Sequence, residues 1–177
     1  MLILVGASAS GKTATALNLQ KRYGLIKAVT TTTRQMREGE NNGIDYFFVD
    51  KEEFEKRIKK DKFVEHSIYN NNYYGCGRDQ VADNKVIVLD PNGVKSFQNL
   101  HDSRVISILL TCNKETRKQR MQLRGDQSGK IIERLTNDIE DFSEDKTSNV
   151  DFIVDTSKKT IDEVTDEVYR LYQNKLK

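Results

Sequence analysis

The chain has 177 residues, with 29 lysines and arginines against 27 aspartates and glutamates, so its net charge is only +2. This length suits one domain with insertions, and the charge balance gives no general case for binding nucleic acid or a membrane. The two cysteines are isolated, and no apolar stretch approaches the roughly 18 residues that span a bilayer, so we expect a soluble, cytoplasmic protein.

Apolar runs typical of β-strands alternate along the chain with segments of helical periodicity. The predicted strands are Leu2–Val5, Val86–Leu89, Val105–Leu110 and Phe152–Val154. The predicted helices are Thr13–Tyr23 with Gly24 as its end, a segment around Phe54 and Ile58, one with the face Ile131, Leu135, Ile139 and Phe142, and a last one that opens with the capping box Thr160–Glu163 and buries Ile161, Val164, Val168 and Leu171. Such alternation indicates a three-layer α/β fold with a parallel sheet covered on both faces.

The segment GASASGKT lies between the first predicted strand and the first predicted helix and fits the pattern G-x-x-x-x-G-K-[ST]. Its small residues let backbone N–H groups turn toward a phosphate, which the helix dipole also favours. Lys12 adds a charge for the β- and γ-phosphates, and the Thr13 hydroxyl suits Mg²⁺. The alternative, a merely flexible turn, is disfavoured by this context. We therefore predict a nucleotide site formed by Gly6, Ala7, Ser8, Ala9, Ser10, Gly11, Lys12 and Thr13.

Two arginines, Arg34 and Arg37, follow four consecutive threonines. Guanidinium groups bind phosphate bidentately, so this stretch suits a second phosphate, although a solvated polar loop is an equal alternative from spacing alone. Further on, Glu65 lies in an apolar, strand-like run at the start of the segment FVEHSIYNNNYYGCG. A carboxylate in such a run often has a specific partner, and an edge-strand glutamate is the alternative.

Four arginines, Arg117, Arg120, Arg124 and Arg134, occupy residues 113–134. Arg120 and Arg124 are four apart and share one face of a predicted helix. A solvated basic face is the simpler interpretation in isolation. Beside a phosphate loop, an arginine-bearing lid becomes the better hypothesis, because phosphoryl transfer depends on positioning and charge stabilisation.

In their order and spacing, the phosphate loop, TTTRQMREGENNGIDYFFV and FVEHSIYNNNYYG resemble the guanylate kinase family over nearly the whole chain. The resemblance implies transfer of the γ-phosphoryl group of Mg-ATP to GMP or dGMP by a monomer or homodimer, without nucleic acid or membrane partners. It implies catalytic roles for Lys12, Arg34, Arg120, Arg124 and Arg134, and GMP binding by Thr30, Arg34, Arg37, Glu40, Tyr46, Glu65, Tyr74, Cys76 and Asp90. Thr13 and Asp90 would serve the Mg²⁺ ion. Glu65 would accept from the guanine ring N–H and amine, where adenine presents an acceptor nitrogen.

The same resemblance divides the chain into three parts. A core P-loop domain would comprise residues 1–29, 77–117 and 147–177. A nucleoside monophosphate-binding domain would comprise residues 30–76, and a lid residues 118–146.

Three positions depart from the family pattern. Cys76 stands where serine or threonine usually bonds the guanine carbonyl, and a thiol is a weaker donor. After Asp90, the sequence Pro91-Asn92-Gly93 predicts a tight turn in place of a second acidic residue. Asp155 stands where asparagine often meets adenine. Two alternatives therefore stay open: a related kinase for another phosphorylated acceptor such as a ribose bisphosphate, and a non-catalytic phosphopeptide-binding module, which has no need of Lys12.

Overall fold

The computed structural model describes residues 1–177 and contains nine strands and seven α-helices. The strands are β1 (Leu2–Val5), β2 (Ile26–Lys27), β3 (Thr31–Thr32), β4 (Phe47–Phe48), β5 (Phe63–Tyr69), β6 (Asn72–Gly77), β7 (Lys85–Val88), β8 (Ile106–Thr111) and β9 (Phe152–Asp155). The helices are α1 (Lys12–Tyr23), α2 (Lys51–Lys59), α3 (Pro91–Gln98), α4 (Lys114–Leu123), α5 (Ser128–Asp141), α6 (Glu144–Thr147) and α7 (Ile161–Leu176). No helix combines the length and the apolar composition that crossing a membrane requires.

The main sheet is entirely parallel, with the strand order β2-β7-β1-β8-β9. Its central strand β1 is fully buried, and successive side chains point to opposite faces. Leu2 and Leu4 belong to an apolar cluster with α1 and α7, whereas Ile3 and Val5 belong to another that includes Phe97 of α3. The predicted three-layer α/β architecture is confirmed.

A second, smaller sheet forms between residues 31 and 77, with the strand order β4-β3-β6-β5. β6 pairs antiparallel with both β3 and β5, whereas β3 and β4 run parallel. Phe54 of α2 stacks on Phe63 of β5 with their ring centroids 4.5 Å apart, which gives this sheet its own apolar contact. β5 also packs against α3, so the small sheet rests on the main body.

The predicted turn at Pro91-Asn92-Gly93 is wrong, because these residues begin α3. Proline is well suited to the first helical position, where its missing N–H costs no hydrogen bond. Asp90 is the N-cap residue, and its Oδ1 accepts from the Gly93 N–H at 2.7 Å. The carboxylate of Asp90 is thus fixed at the end of β7.

Helix periodicity was correct for most buried positions but not for all of them. In α5, Ile131 and Leu135 are buried, whereas Ile139 is 69% exposed and Asp138 takes the buried position. A period of 3.6 residues explains this result, because the seventh residue after Ile131 returns to the same face more closely than the eighth does.

The last helix largely follows its predicted face. Its capping box at Thr160 and Glu163 is confirmed, and Val164 and Val168 are buried as predicted. Tyr172, whose hydroxyl donates to the carbonyl of Asp83, is buried on the same face, and Leu171 is half-buried against the same apolar cluster. Ile161, in the first turn, is exposed.

Candidate active site

The phosphate loop follows β1 directly and leads into α1. Gly6 has φ +150°, and a Cβ there would lie 2.3 Å from the carbonyl oxygen of Leu110 in β8. Gly11, the N-cap residue of α1, has φ +104°, in the region that side chains disfavour. Glycine at these two positions therefore lets the loop fold tightly against the carboxyl ends of the central strands.

The Lys12 side chain folds back over this loop. Its Nζ donates to the carbonyl oxygens of Gly6 at 2.5 Å and Ala7 at 2.8 Å. Burial lowers the pKa of Lys12 to about 8, although the negative charge of Asp138 opposes that shift. Two neutral carbonyls compensate a half-buried ammonium only in part, so the loop is electrostatically suited to an anion.

Of the three lid arginines predicted to be catalytic, Arg120, Arg124 and Arg134, only Arg120 contacts the phosphate loop. Its Nη1 donates to the carbonyl of Ala9 at 3.2 Å and to Oγ1 of Thr156 at 3.1 Å, while Nη2 donates to the Thr156 carbonyl at 2.7 Å. Thr156 in turn donates to the carbonyl of Ser10 at 2.9 Å. Arg120 therefore ties α4 to both the loop and the segment after β9.

Arg124 and Arg134 lie elsewhere, at the connection between α4 and α5. Arg124 forms a bidentate pair with Asp126, at 2.9 and 2.5 Å, and Arg134 lies 3.9 Å from the same carboxylate. Both side chains are about half exposed. Gly125, with φ +85°, makes the turn between the helices. In this conformation the two arginines pair with Asp126 and do not contact the phosphate loop.

Two residues beside the loop were not predicted to belong to the site. Arg117 of α4 and Asp138 of α5 form an ion pair of 2.6 Å, and Asp138 also accepts from the N–H of Ser8 at 3.1 Å and from its hydroxyl at 3.2 Å. The sequence carried a signal for Asp138. A carboxylate seven residues after Ile131 falls on the buried helix face and needs a partner there.

The acceptor segment brings together five of the predicted GMP-binding residues. Arg34 donates to Glu40 at 2.7 Å, and the second oxygen of Glu40 accepts from the N–H of Arg37 at 2.8 Å. These bonds hold the pKa of Glu40 below its usual range. The Arg34 guanidinium lies 5.5 Å from the ring centre of Tyr46, which lies 6.1 Å from that of Tyr74. The side chain of Arg37 is exposed.

Glu65 is half-buried on β5 of the small sheet. Its Oε1 accepts from the N–H of Cys76 at 3.1 Å. Burial raises the pKa of Glu65, the bond from Cys76 opposes this shift, and the negative charge of Asp90 adds to it. Asp90 thus acts on Glu65 across the boundary between the two sheets. Thr30 is half-buried just before β3, where its carbonyl accepts from Phe47 at 2.9 Å.

The thiol of Cys76 does not occupy the predicted position beside the acceptor. It is fully buried in the apolar cluster that contains Ile3 and Val94, with its sulfur 3.8 Å from the carbonyl of Gly77. Burial raises the pKa of this thiol to about 12. Cysteine packs as a small apolar residue, and that property explains its orientation.

Candidate metal ligands are sparse. Thr13 is exposed in the first turn of α1, and Asp90 uses one oxygen to cap α3. No group of three or more histidine, cysteine or acidic residues is arranged to hold a metal ion. Such a donor set fits Mg²⁺, which usually binds through one or two protein groups, water and substrate phosphates rather than a protein cage.

Known proteins resemble this chain in sequence and in fold. The sequence profile described as guanylate kinase matches residues 1–175. A guanylate kinase of Chlorobaculum tepidum is 30% identical over 179 residues, covering 95% of this chain and 91% of that protein. One of Fusobacterium nucleatum is 31% identical over 149 residues, or 80% of each chain. The crystal structure of guanylate kinase from Anaplasma phagocytophilum shares the fold, with a TM-score of 0.70 and 24% identity over 98% of this chain and 84% of that one. The chain belongs to the guanylate kinase family.

Proposed function

We propose that this protein transfers the γ-phosphoryl group of ATP to GMP or dGMP, giving ADP and GDP or dGDP. The observation that carries the proposal is the half-buried Lys12 ammonium, whose hydrogen-bond partners are two backbone carbonyls. A nucleotide phosphate supplies the full negative charge that these carbonyls lack. Family membership over nearly the whole chain supports the same activity.

ATP would place its phosphates on residues 6–13 at the start of α1. Lys12 donates to the carbonyl of Gly6 and Arg120 to that of Ala9, so both cations lie at this loop and would neutralise the charge of the transferring group. Beside the loop, Gly11, Arg120 and Thr156 line a cleft of about 290 Å³, close to the lower limit for a small-molecule pocket of roughly 300 Å³. We assign this cleft to the adenosine part of ATP.

GMP would place its phosphate against Arg34 and Arg37, with Tyr46 and Tyr74 beside it. Glu40 orients Arg34, and Thr30 lies at the base of the same segment. Glu65 would accept from the two adjacent donors of guanine, while the Cys76 backbone N–H holds that carboxylate in place. Cys76 therefore contributes through its backbone, and its thiol contributes to packing.

Thr13 and Asp90 are the residues that would serve a Mg²⁺ ion arriving with the nucleotide. When bound, the ion would neutralise phosphate charge. The free oxygen of Asp90 is directed by the cap at Gly93, and Thr13 offers its exposed hydroxyl. This assignment needs no further protein ligand.

The reaction is a direct transfer between two bound nucleotides. An oxygen of the GMP phosphate attacks the γ-phosphorus of ATP, the bond to the β-phosphate oxygen breaks, and ADP leaves. The protein has to align these groups and stabilise charge, and no covalent intermediate is needed. Arg124 and Arg134 would exchange Asp126 for nucleotide phosphates when the lid closes, which also excludes water.

We further infer that three parts of the chain move relative to one another: the core of residues 1–29, 77–117 and 147–177, the acceptor part of residues 30–76, and the lid of residues 118–146. The separate sheet between residues 31 and 77, with its own Phe54–Phe63 stack, supports the acceptor part. We also predict that the protein is a monomer or homodimer and that it is cytoplasmic.

A substrate panel tests the proposal. ADP release is measured with ATP and each of GMP, dGMP, AMP, CMP, UMP and ribose 1,5-bisphosphate, with Lys12→Ala as the background control. We expect turnover of GMP and dGMP well above that of the other acceptors. Equal turnover of AMP would contradict the role of Glu65, and turnover of the ribose bisphosphate alone would favour the related-kinase alternative.

A further inference from the structure

A buried ion pair joins the two long lid helices next to the phosphate loop. Nη1 of Arg117 lies 2.6 Å from Oδ2 of Asp138, and the two side chains are only 9% and 7% exposed. Removing both charges from water is costly, so each must find further partners. Neither residue takes part in the transfer described above.

The further partners of Asp138 are in the phosphate loop. Its Oδ2 accepts from the backbone N–H of Ser8 at 3.1 Å, and its Oδ1 accepts from the Ser8 hydroxyl at 3.2 Å. The negative charge of Asp138 also raises the pKa of Lys12 more than any other charged neighbour does. A lid carboxylate thus occupies an N–H of the anion-binding loop, close to the charge that the loop provides for phosphate.

We infer that Asp138 is a placeholder for nucleotide phosphate: its carboxylate occupies the Ser8 N–H in the empty protein, and ATP binds by displacing it. This inference rests on the proposed function. The carboxylate and a phosphate oxygen are both anionic acceptors, so they compete for one N–H and repel each other at close range. Asp138 therefore sets the affinity for ATP.

The placeholder also explains why the pair is buried here. In this conformation it gives the Ser8 N–H an acceptor and brings negative charge near Lys12, while Arg117 compensates the carboxylate. When phosphate arrives, Asp138 and Arg117 keep each other as partners and only the bonds to Ser8 break. The exchange thus links occupation of the loop to release of α5 from it.

The direct test is Asp138→Asn, which keeps the shape of the side chain and removes its charge. We expect the Kd for ATP to fall by about tenfold, equivalent to about 1.4 kcal/mol. The matched control is Asp141→Asn, which removes an exposed carboxylate one turn further along α5. Because exposed charges are screened by water and salt, the control should change the Kd by less than about twofold.

A second variant avoids leaving Arg117 buried without its counter-charge. The double change Arg117→Leu and Asp138→Ala replaces the ion pair with apolar groups, a replacement that is often neutral for folding. It should also tighten ATP binding by about tenfold. Thermal unfolding establishes that each variant is folded, and steady-state kinetics should show a lower KM for ATP with the KM for GMP unchanged.

Calorimetry with ATP, inorganic triphosphate and adenosine separates the placeholder from a general effect on the lid. The gain should appear with ATP and triphosphate and be absent with adenosine, which carries no phosphate. An equal gain for adenosine, or no gain for ATP in a folded variant, overturns the inference. If the unmodified protein phosphorylates GMP but the variants bind ATP no better, only the placeholder is wrong. If no form binds ATP or triphosphate, the proposed function is wrong as well.

Discussion

The proposed donor and acceptor sides of the site are built on different scaffolds. The phosphate loop follows the fully buried strand β1 and leads into α1, which packs against α7. The acceptor side depends on β3 and β4, strands of two residues each, and its main arginine is positioned by another side chain, Glu40. The core thus fixes the donor site, whereas the acceptor site depends on a few local hydrogen bonds. We therefore expect donor substitutions to change kcat and acceptor substitutions to change the KM for GMP.

The largest effect is expected for Lys12→Ala. Loss of the ammonium should lower kcat by about 10²–10³-fold, as is typical for removing one preorganised charge or donor from the transition state. The fold should be unaffected, because the side chain of Lys12 bonds only to loop carbonyls. Steady-state kinetics and a melting curve measure both. Lys21→Ala, at the exposed end of the same helix, is the matched control. A near-native kcat in Lys12→Ala would show that the donor side does not act on the transition state as proposed.

A smaller effect, confined to one substrate, is expected for Arg34→Ala. The KM for GMP should rise by about 10- to 100-fold, since a hydrogen bond to a charged group contributes about 1.5–3 kcal/mol. The KM for ATP should stay the same, because Arg34 contacts only the acceptor segment. Arg57→Ala removes an arginine that pairs with Glu53 on α2 and serves as the control. If Arg34→Ala raised the KM for ATP and left the KM for GMP unchanged, Arg34 would belong to the ATP site instead.

How far the sequence predicted the site also differs between regions. The phosphate loop was predictable because the strand, the glycines, Lys12 and α1 are contiguous, so a local pattern carries the geometry. The lid was not predictable to the same degree. Arg120, Arg124 and Arg134 look equivalent in the sequence, yet only Arg120 contacts the loop, because Asp126 holds the other two.

Asp138 was missed for a specific reason. A helix face chosen by apolar residues alone runs from Ile131 through Leu135 to Ile139, which turns out to be exposed. The true face passes through Asp138, and its partner Arg117 lies 21 positions earlier, in another helix. The sequence can show that a buried carboxylate needs a partner, but it cannot identify a partner that only the packing of α4 on α5 provides.

A third prediction sharpens the acceptor side through pH. Burial raises the pKa of Glu65, and only its ionised form accepts both guanine donors. The KM for GMP should therefore rise as pH falls through this raised pKa, by about tenfold for each pH unit below it, while the KM for ATP does not follow. A Glu65→Gln variant should have a weak GMP affinity without this dependence. If the KM for GMP began to rise only near the pKa of an ordinary carboxyl, Glu65 would not be the group that binds guanine.

The same shift has a consequence for stability. The folded protein binds a proton at Glu65 more tightly than the unfolded chain does. The free energy of unfolding from this residue is therefore greatest at low pH and decreases as pH rises from the ordinary carboxyl pKa through the raised one. Chemical denaturation of the unmodified protein and of Glu65→Gln across this range should show the decrease in the first protein only.

The smallest effect on activity is expected for Cys76→Ser, because this side chain belongs to the core beneath the acceptor sheet rather than to the cleft. The buried hydroxyl finds the Gly77 carbonyl out of reach, so unfolding should become easier by about 1–3 kcal/mol while the kcat/KM for GMP is unchanged. The half-exposed Cys112 is the control: Cys112→Ser should leave stability nearly unaltered, and alkylation of the native protein should label Cys112 first. Saturating GMP should not change the alkylation rate of either cysteine. A Cys76 thiol that reacts in the native protein and is protected by GMP would instead lie in the cleft, and the acceptor site would then share a wall with the core that supports the donor site.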